Sequence, residues 1–199
     1  SRSEADSHGK RESKIQPGRQ NNSKRNLCSR QTAEHSGEIV IDSQFYKVLL
    51  QIHNALGISG TLWVVTGSLG LALQGMNIEV HDIDIQTDKA GAYDIEGKLS
   101  KYVVRKVEFS STEKIRSHFG QLRIDGVKVE IMGDIQKCLL DGTWEDPIDI
   151  SSKMHIIKYN GLSIPVLFLE YECEAYEKLG RIDKAAQIKK YLQRNGVHR

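Results

Sequence analysis

The stretch from Leu62 to Ile85 constrains this chain more than any other. Residues 62–65 (Leu-Trp-Val-Val) read as a buried strand that stops abruptly at Gly67-Ser68. Residues 68–74 then read as a short helix of small and aliphatic residues, ended by Gly75. Residues 80–85 (Val-His-Asp-Ile-Asp-Ile) read as the neighbouring strand. Side chains two apart in a strand share a face, so Asp82 and Asp84 project together while Ile83 and Ile85 enter the core.

The remaining elements are placed around this unit. Phe45, Val48, Leu49, Ile52 and Leu56 recur at helical spacing, with Ser43 as the expected N-cap and Gly57 at the end. His53 in that helix is expected to be a partly exposed packing residue. Thr87 or Asp88 is expected to cap a helix over residues 89–99, and residues 102–109 carry strand formers. Residues 113–118 read as a short helix or loop. Asp125-Gly126 between residues 119–124 and 127–132 predicts a two-residue hairpin turn, where both positions need positive φ. Residues 154–159 and 162–164 flank Asn160-Gly161 as a second hairpin. Pro165 is expected to introduce a helix over residues 167–179, with Phe168, Tyr171, Ala175 and Leu179 on one face. A last helix over about 182–192 buries Ala185, Ile188 and Leu192. The order predicts an α/β (α+β) chain: a mixed twisted sheet with helices packed on it, completed by C-terminal helices.

At 199 residues the chain suits one domain with an appendage. Residues 1–37 are rich in Ser, Arg, Lys, Gln, Asn and Gly and are expected to form a polar, mildly basic disordered tail or an artificial extension, with residues 38–199 as the folded domain. The charge of +2, from 28 basic and 26 acidic residues, argues neither for nor against nucleic acid. Three cysteines (Cys28, Cys138 and Cys173) have no C-x-x-C spacing, so reduced thiols are expected, and with no membrane span or signal core in view a cytoplasmic location.

Two carboxylates as close as Asp82 and Asp84 repel each other when ionised, and a hard divalent cation such as Mg²⁺ or Mn²⁺ resolves that conflict. Glu130, among apolar neighbours in Val127-Lys128-Val129-Glu130-Ile131, completes a three-carboxylate cluster if its strand lies beside the Asp strand. Lys128 is expected to share Glu130's side only if a bulge intervenes. Gly67 allows a phosphate to approach the backbone, Ser68 adds a hydroxyl, and the helix that follows favours negative charge. Singly, a Gly-Ser is a turn and an Asp-x-Asp is a solvated strand end. Together, in this order, they read as a phosphate cradle beside a metal cradle.

Gly67-Ser68, Asp82-Ile83-Asp84-Ile85 and Val129-Glu130-Ile131 resemble the signature of the DNA polymerase beta-like nucleotidyltransferases, especially the small single-domain lincosamide-modifying and abortive-infection types. Ile164-Pro165-Val166-Leu167-Phe168-Leu169-Glu170 and Lys178 to Lys184 resemble their C-terminal part, so the likeness spans roughly residues 40–193. It implies an enzyme that moves a nucleoside monophosphate from an NTP, ATP being the commonest choice, to an acceptor hydroxyl, with Mg²⁺ or Mn²⁺ bound and pyrophosphate released. Gly67 and Ser68 would hold the triphosphate and Asp82 and Asp84 the ions. Glu130, where the family more often has Asp, would activate the acceptor. Lys178 and Lys184 are candidate phosphate contacts. Arg116, His118 and Arg123 are weaker candidates for the acceptor side. Trp63 is expected in the core, and Trp144 over the cleft or anchoring a loop.

A small-molecule or protein acceptor is preferred over nucleic acid, since no basic aromatic stripe is evident. The alternative is a nucleotide-binding sensor or toxin–antitoxin module that has lost catalysis. Two-metal phosphoester hydrolysis would use the same carboxylates without needing Gly67-Ser68.

Overall fold

The computed structural model describes residues 39–57, 60–139 and 141–196; the expected polar tail, with Cys28, lies outside the described residues. In chain order the elements are α1 (Ser43–Leu56), β1 (Val64–Thr66), α2 (Gly67–Leu73), β2 (Ile83–Thr87), α3 (Lys89–Lys98), β3 (Val103–Ser111), β4 (Ile115–Ile124), β5 (Val127–Lys137), β6 (Met154–Tyr159), β7 (Leu162–Leu167), α4 (Leu169–Lys178) and α5 (Ile182–Arg194). The strands form one mixed sheet in the order β3-β4-β5-β2-β1-β7-β6. This is the α+β architecture the element order predicts.

One face of the sheet is closed by the main core. Val48, Leu49, Ile52 and Leu56 of α1 and Ala92 and Ile95 of α3 pack against Val65, Ile83, Ile85, Leu122, Val129 and Ile131. Asp42 rather than Ser43 caps α1, its side chain accepting from the Gln44 N–H at 2.7 Å. Asp88 caps α3, accepting from the Gly91 N–H at 2.6 Å, while Thr87 donates to the Leu62 carbonyl. His53 is half-buried, its Nε2 3.2 Å from the Ser163 carbonyl oxygen and its ring edge-on to the buried Trp63, so both are packing residues.

Three expectations need correcting. Residues 115–118 belong to β4, an interior strand in which Arg116 and His118 pair with both β3 and β5 and Ser117 pairs with Ser110 of β3. Pro165 lies inside β7 opposite Ile156, and the helix starts at Leu169. The buried stripe of α4 is Leu169, Glu172, Cys173 and Tyr176, one residue out of phase from the face expected; Phe168 is exposed and stacks flat on His155.

Both hairpin turns are as the sequence predicts. Asp125-Gly126 and Asn160-Gly161 each take positive φ at both positions. The long β4–β5 hairpin carries a bulge: His118 pairs with Gly133 but Arg116 with Gln136, so β5 has one extra residue there, with Asp134 at φ 49°. Ahead of the bulge, Glu130 and Met132 line the sheet's second face. Beyond it, Ile135 and Lys137 do.

Candidate active site

The second face of the sheet is only partly covered, by α4, and holds a cleft of about 350 Å³. A row of directly opposed residues crosses its floor: Thr66 faces Asp84, Asp84 faces Glu130, Glu130 faces Gln121, and Gln121 faces Arg105. The parallel pairing of β2 with β5 brings Glu130 beside Asp84, and Asp82 sits one residue ahead of the β2 ladder. One oxygen from each of Asp82, Asp84 and Glu130 lies within 4.8 Å of the others. Such a set of hard oxygen donors suits Mg²⁺ or Mn²⁺.

Charge is concentrated here. Burial, with Asp82 and Glu130 alongside, pushes the Asp84 carboxyl up to about 7. Lys128 reaches the cluster, its Nζ 2.7 Å from Asp82 Oδ2 and 3.1 Å from Glu130 Oε1. It needs no bulge to do so: the ladder is regular from Ile124–Val127 through Gln121–Glu130, and residues 128 and 130 share a face by simple alternation. The Gln121 Nε2 donates to the same Glu130 oxygen at 2.9 Å.

Gly67 and Ser68 open α2 directly beside Asp84. Gly67 has φ +67°, and a Cβ on it would lie 2.2 Å from Asp84 Oδ2. Its N–H does not face open space; it donates to Glu172 Oε1 at 3.1 Å, and the Thr66 hydroxyl donates to the same oxygen at 2.5 Å. Ser68 is buried with a hydroxyl that meets no partner among the described residues.

Glu172 is the acid that the sequence reading passes over. It occupies a buried position of the α4 stripe, and burial pushes its carboxyl up to about 7 against the lowering effect of its two bonds. A carboxylate at i+3 from Leu169 and i−4 from Tyr176 is the signal that marks it. Lys137 is missed as well. It is carried into the cleft by the bulge, is 3% exposed, donates to the Tyr171 hydroxyl at 3.0 Å, and is held below its usual range by burial.

The other candidates are dispersed. Lys184 is half-buried in the first turn of α5, close enough to Glu172 to lower its pKa, whereas Lys178 is exposed and paired with Glu145. Arg116 stacks over Trp144 and binds Gln136, His118 sits between Tyr93 and Phe109, and Arg123 bonds the Gly126 carbonyl; none of the three lines the cleft. Trp144 pairs by its backbone with Cys138 and anchors the loop after β5. A larger hollow of about 800 Å³ beside His155, Phe168 and Tyr191 holds none of the three clustered carboxylates, so size does not decide where the chemistry lies.

A profile of the aminoglycoside-2''-adenylyltransferase family matches residues 48–191, a span that contains the whole of this cluster. The chain belongs to that family. It is also 55% identical to a protein of Thermotoga maritima described provisionally as a nucleotidyltransferase, whose crystal structure superposes with a TM-score of 0.71 over 80% of this chain and 99% of that one. The structure of the aminoglycoside enzyme ANT(2'')-Ia with adenylyl-2''-tobramycin has the same fold at 10% identity, with a TM-score of 0.51 over 75% of this chain and 90% of that one. The lincomycin-bound lincosamide adenylyltransferase LnuA aligns over 75% of this chain and 97% of its own at 16% identity and a TM-score of 0.48. No curated protein matches. As a member of this family, the protein is a nucleotidyltransferase, an enzyme that moves a nucleoside monophosphate. Among the described residues no helix is long and apolar enough to cross a membrane.

Proposed function

We propose that this enzyme transfers the nucleoside monophosphate of ATP to a hydroxyl of a small molecule, using Mg²⁺ or Mn²⁺ held by Asp82, Asp84 and Glu130, with residues 38–199 as the catalytic domain. The observation that carries this reading is the convergence of the three carboxylates beside Gly67-Ser68. The bound ions would neutralise the triphosphate and the charge that develops on its leaving group.

The chain's own residues supply the rest. Glu130 accepts the proton of the acceptor hydroxyl as its oxygen bonds to the α-phosphorus and the bond to pyrophosphate breaks. Gln121 fixes the orientation of that carboxylate. The unpartnered Ser68 hydroxyl donates to a phosphate oxygen, and Gly67 supports it by leaving room for Asp84. Of the two lysines, Lys184 is the better placed phosphate contact; Lys178 would first have to leave Glu145. A cleft of about 350 Å³ bounded by Arg105, Tyr176 and Arg181 suits a compact acceptor, and the family is named for adenylyl transfer to one.

The test is pyrophosphate release from ATP and Mg²⁺ with a panel of aminoglycosides and other hydroxylated small molecules. The Asp82→Asn, Asp84→Asn double variant should lose transfer while keeping its circular dichroism spectrum, since amides preserve shape and remove charge. Full activity in that variant would overturn the reading.

A further inference from the structure

Three carboxylates within 4.8 Å of one another would repel strongly if nothing stood between them. In this protein something does. The Lys128 ammonium lies 2.7 Å from Asp82 and 3.1 Å from Glu130, bridging the outer two acids of the cluster. Among the described residues Asp84 has no such bond; it is approached by Gly67 on its other side. Lys128 is 40% exposed in its side chain, so a solvent path is open for it to leave. Its strand position fixes this: β5 alternation places Lys128 and Glu130 on one face, and the parallel register with β2 places Asp82 next to both.

We infer that Lys128 is a tethered cation that fills one of the two cation places of the cluster in the free enzyme. This deepens the metal-dependent reading above and rests on it. The consequence is an order of loading. The first divalent ion enters against Asp84, where no ammonium stands. A second requires Lys128 to let go of Asp82 and Glu130, so the free enzyme holds one ion and the triphosphate, adding its own negative charge, makes room for two. Lys128 thereby keeps the acids together without committing the enzyme to a fully metallated state.

The test uses Mn²⁺ as the probe, with bound and free ion counted by electron paramagnetic resonance on the full chain in the absence of nucleotide. Wild type should bind one Mn²⁺ tightly. Lys128→Met should bind two, or bind the first about tenfold more tightly, the size expected for removing one cation from a half-exposed acid cluster. Lys128→Arg, which keeps the charge, should stay near wild type. Unchanged stoichiometry and affinity in Lys128→Met would overturn the inference while leaving the metal reading intact. Wild-type binding by Asp84→Asn would instead remove the metal reading itself. A measurement on the unaltered protein covers the case in which Lys128→Met fails to fold: reductive methylation of Lys128, followed by peptide mass spectrometry, should accelerate when Mg²⁺ and a non-hydrolysable ATP analogue are added together. An unchanged rate would refute release of the ammonium.

Discussion

Gly67 and Asp84 approach so closely that a single methyl group on the glycine would stand 2.2 Å from the Asp84 Oδ2. The glycine also sits at φ +67°, where any side chain is strained. Gly67→Ala therefore has to displace a carboxylate as well as strain the backbone. Expected are a stability loss of about 1–3 kcal/mol and a fall in kcat/KM of about a hundredfold, since misplacement of a reacting group by an ångström has that cost. Thermal unfolding and steady-state kinetics check it. An Ala variant with wild-type kinetics would show that Asp84 need not stay where it is.

Ser68 offers the opposite case. Its buried hydroxyl has no partner among the described residues, so Ser68→Ala removes an unsatisfied group and should leave Tm unchanged or slightly raised. The same change should raise the KM for ATP roughly tenfold, the value of one hydrogen bond to a charged oxygen. Equal KM values would mean that the hydroxyl never meets the nucleotide.

Glu172 holds two donors, the Thr66 hydroxyl and the Gly67 N–H, on one buried oxygen. Glu172→Gln keeps an acceptor oxygen there and loses a charge that burial disfavours. Glu172→Ala leaves both donors unmet, at about 1–3 kcal/mol each. The order of Tm at pH 8 should be Gln above wild type above Ala. Thermal unfolding of the three proteins decides it, and an Ala variant as stable as wild type would contradict the clamp.

The pH dependence of stability has a definite sign. Asp84 and Glu172 are raised from 3.8 and 4.5 to about 7 in the folded protein. Between those limits the folded state binds more protons than the unfolded chain, so stability falls as pH rises through the window and is lowest above about 7. In EDTA, Tm should decline from pH 5 to pH 8. With Mg²⁺ present the decline should flatten, because an ion favours ionised Asp84. A flat profile in EDTA would argue that the two carboxyls are not desolvated.

Local chemistry made much of this site readable from the chain alone. Asp125-Gly126 sets the β4–β5 hairpin, and alternation alone puts Asp82 and Asp84 on one face. The pairing of Asp84 with Glu130 is not local; it depends on β2 and β5 lying parallel and adjacent, which Val129-Glu130-Ile131 hints at only through its apolar surroundings. The bulge expected beside Lys128 is absent, because the simple period of two already puts residues 128 and 130 on one face. The buried stripe of α4 is hidden in the sequence because Phe168 and Tyr171 are more apolar than Glu172, the acid that is buried. Arg116 and His118 read as acceptor-side candidates, but the strand that carries them turns both side chains to other partners.

The extra residue at Asp134 makes β5 two instruments in one. Up to Met132 the strand contributes its even-numbered side chains to the cleft, and after the bulge its odd-numbered ones. Glu130 and Lys137 therefore belong to separately phased segments of a single continuous strand. Paired without that bulge, the same strand would turn Ile135 and Lys137 out of the cleft and leave the acid cluster untouched. The phase of the cleft's far wall is thereby set independently of the phase that brings Glu130 to Asp84.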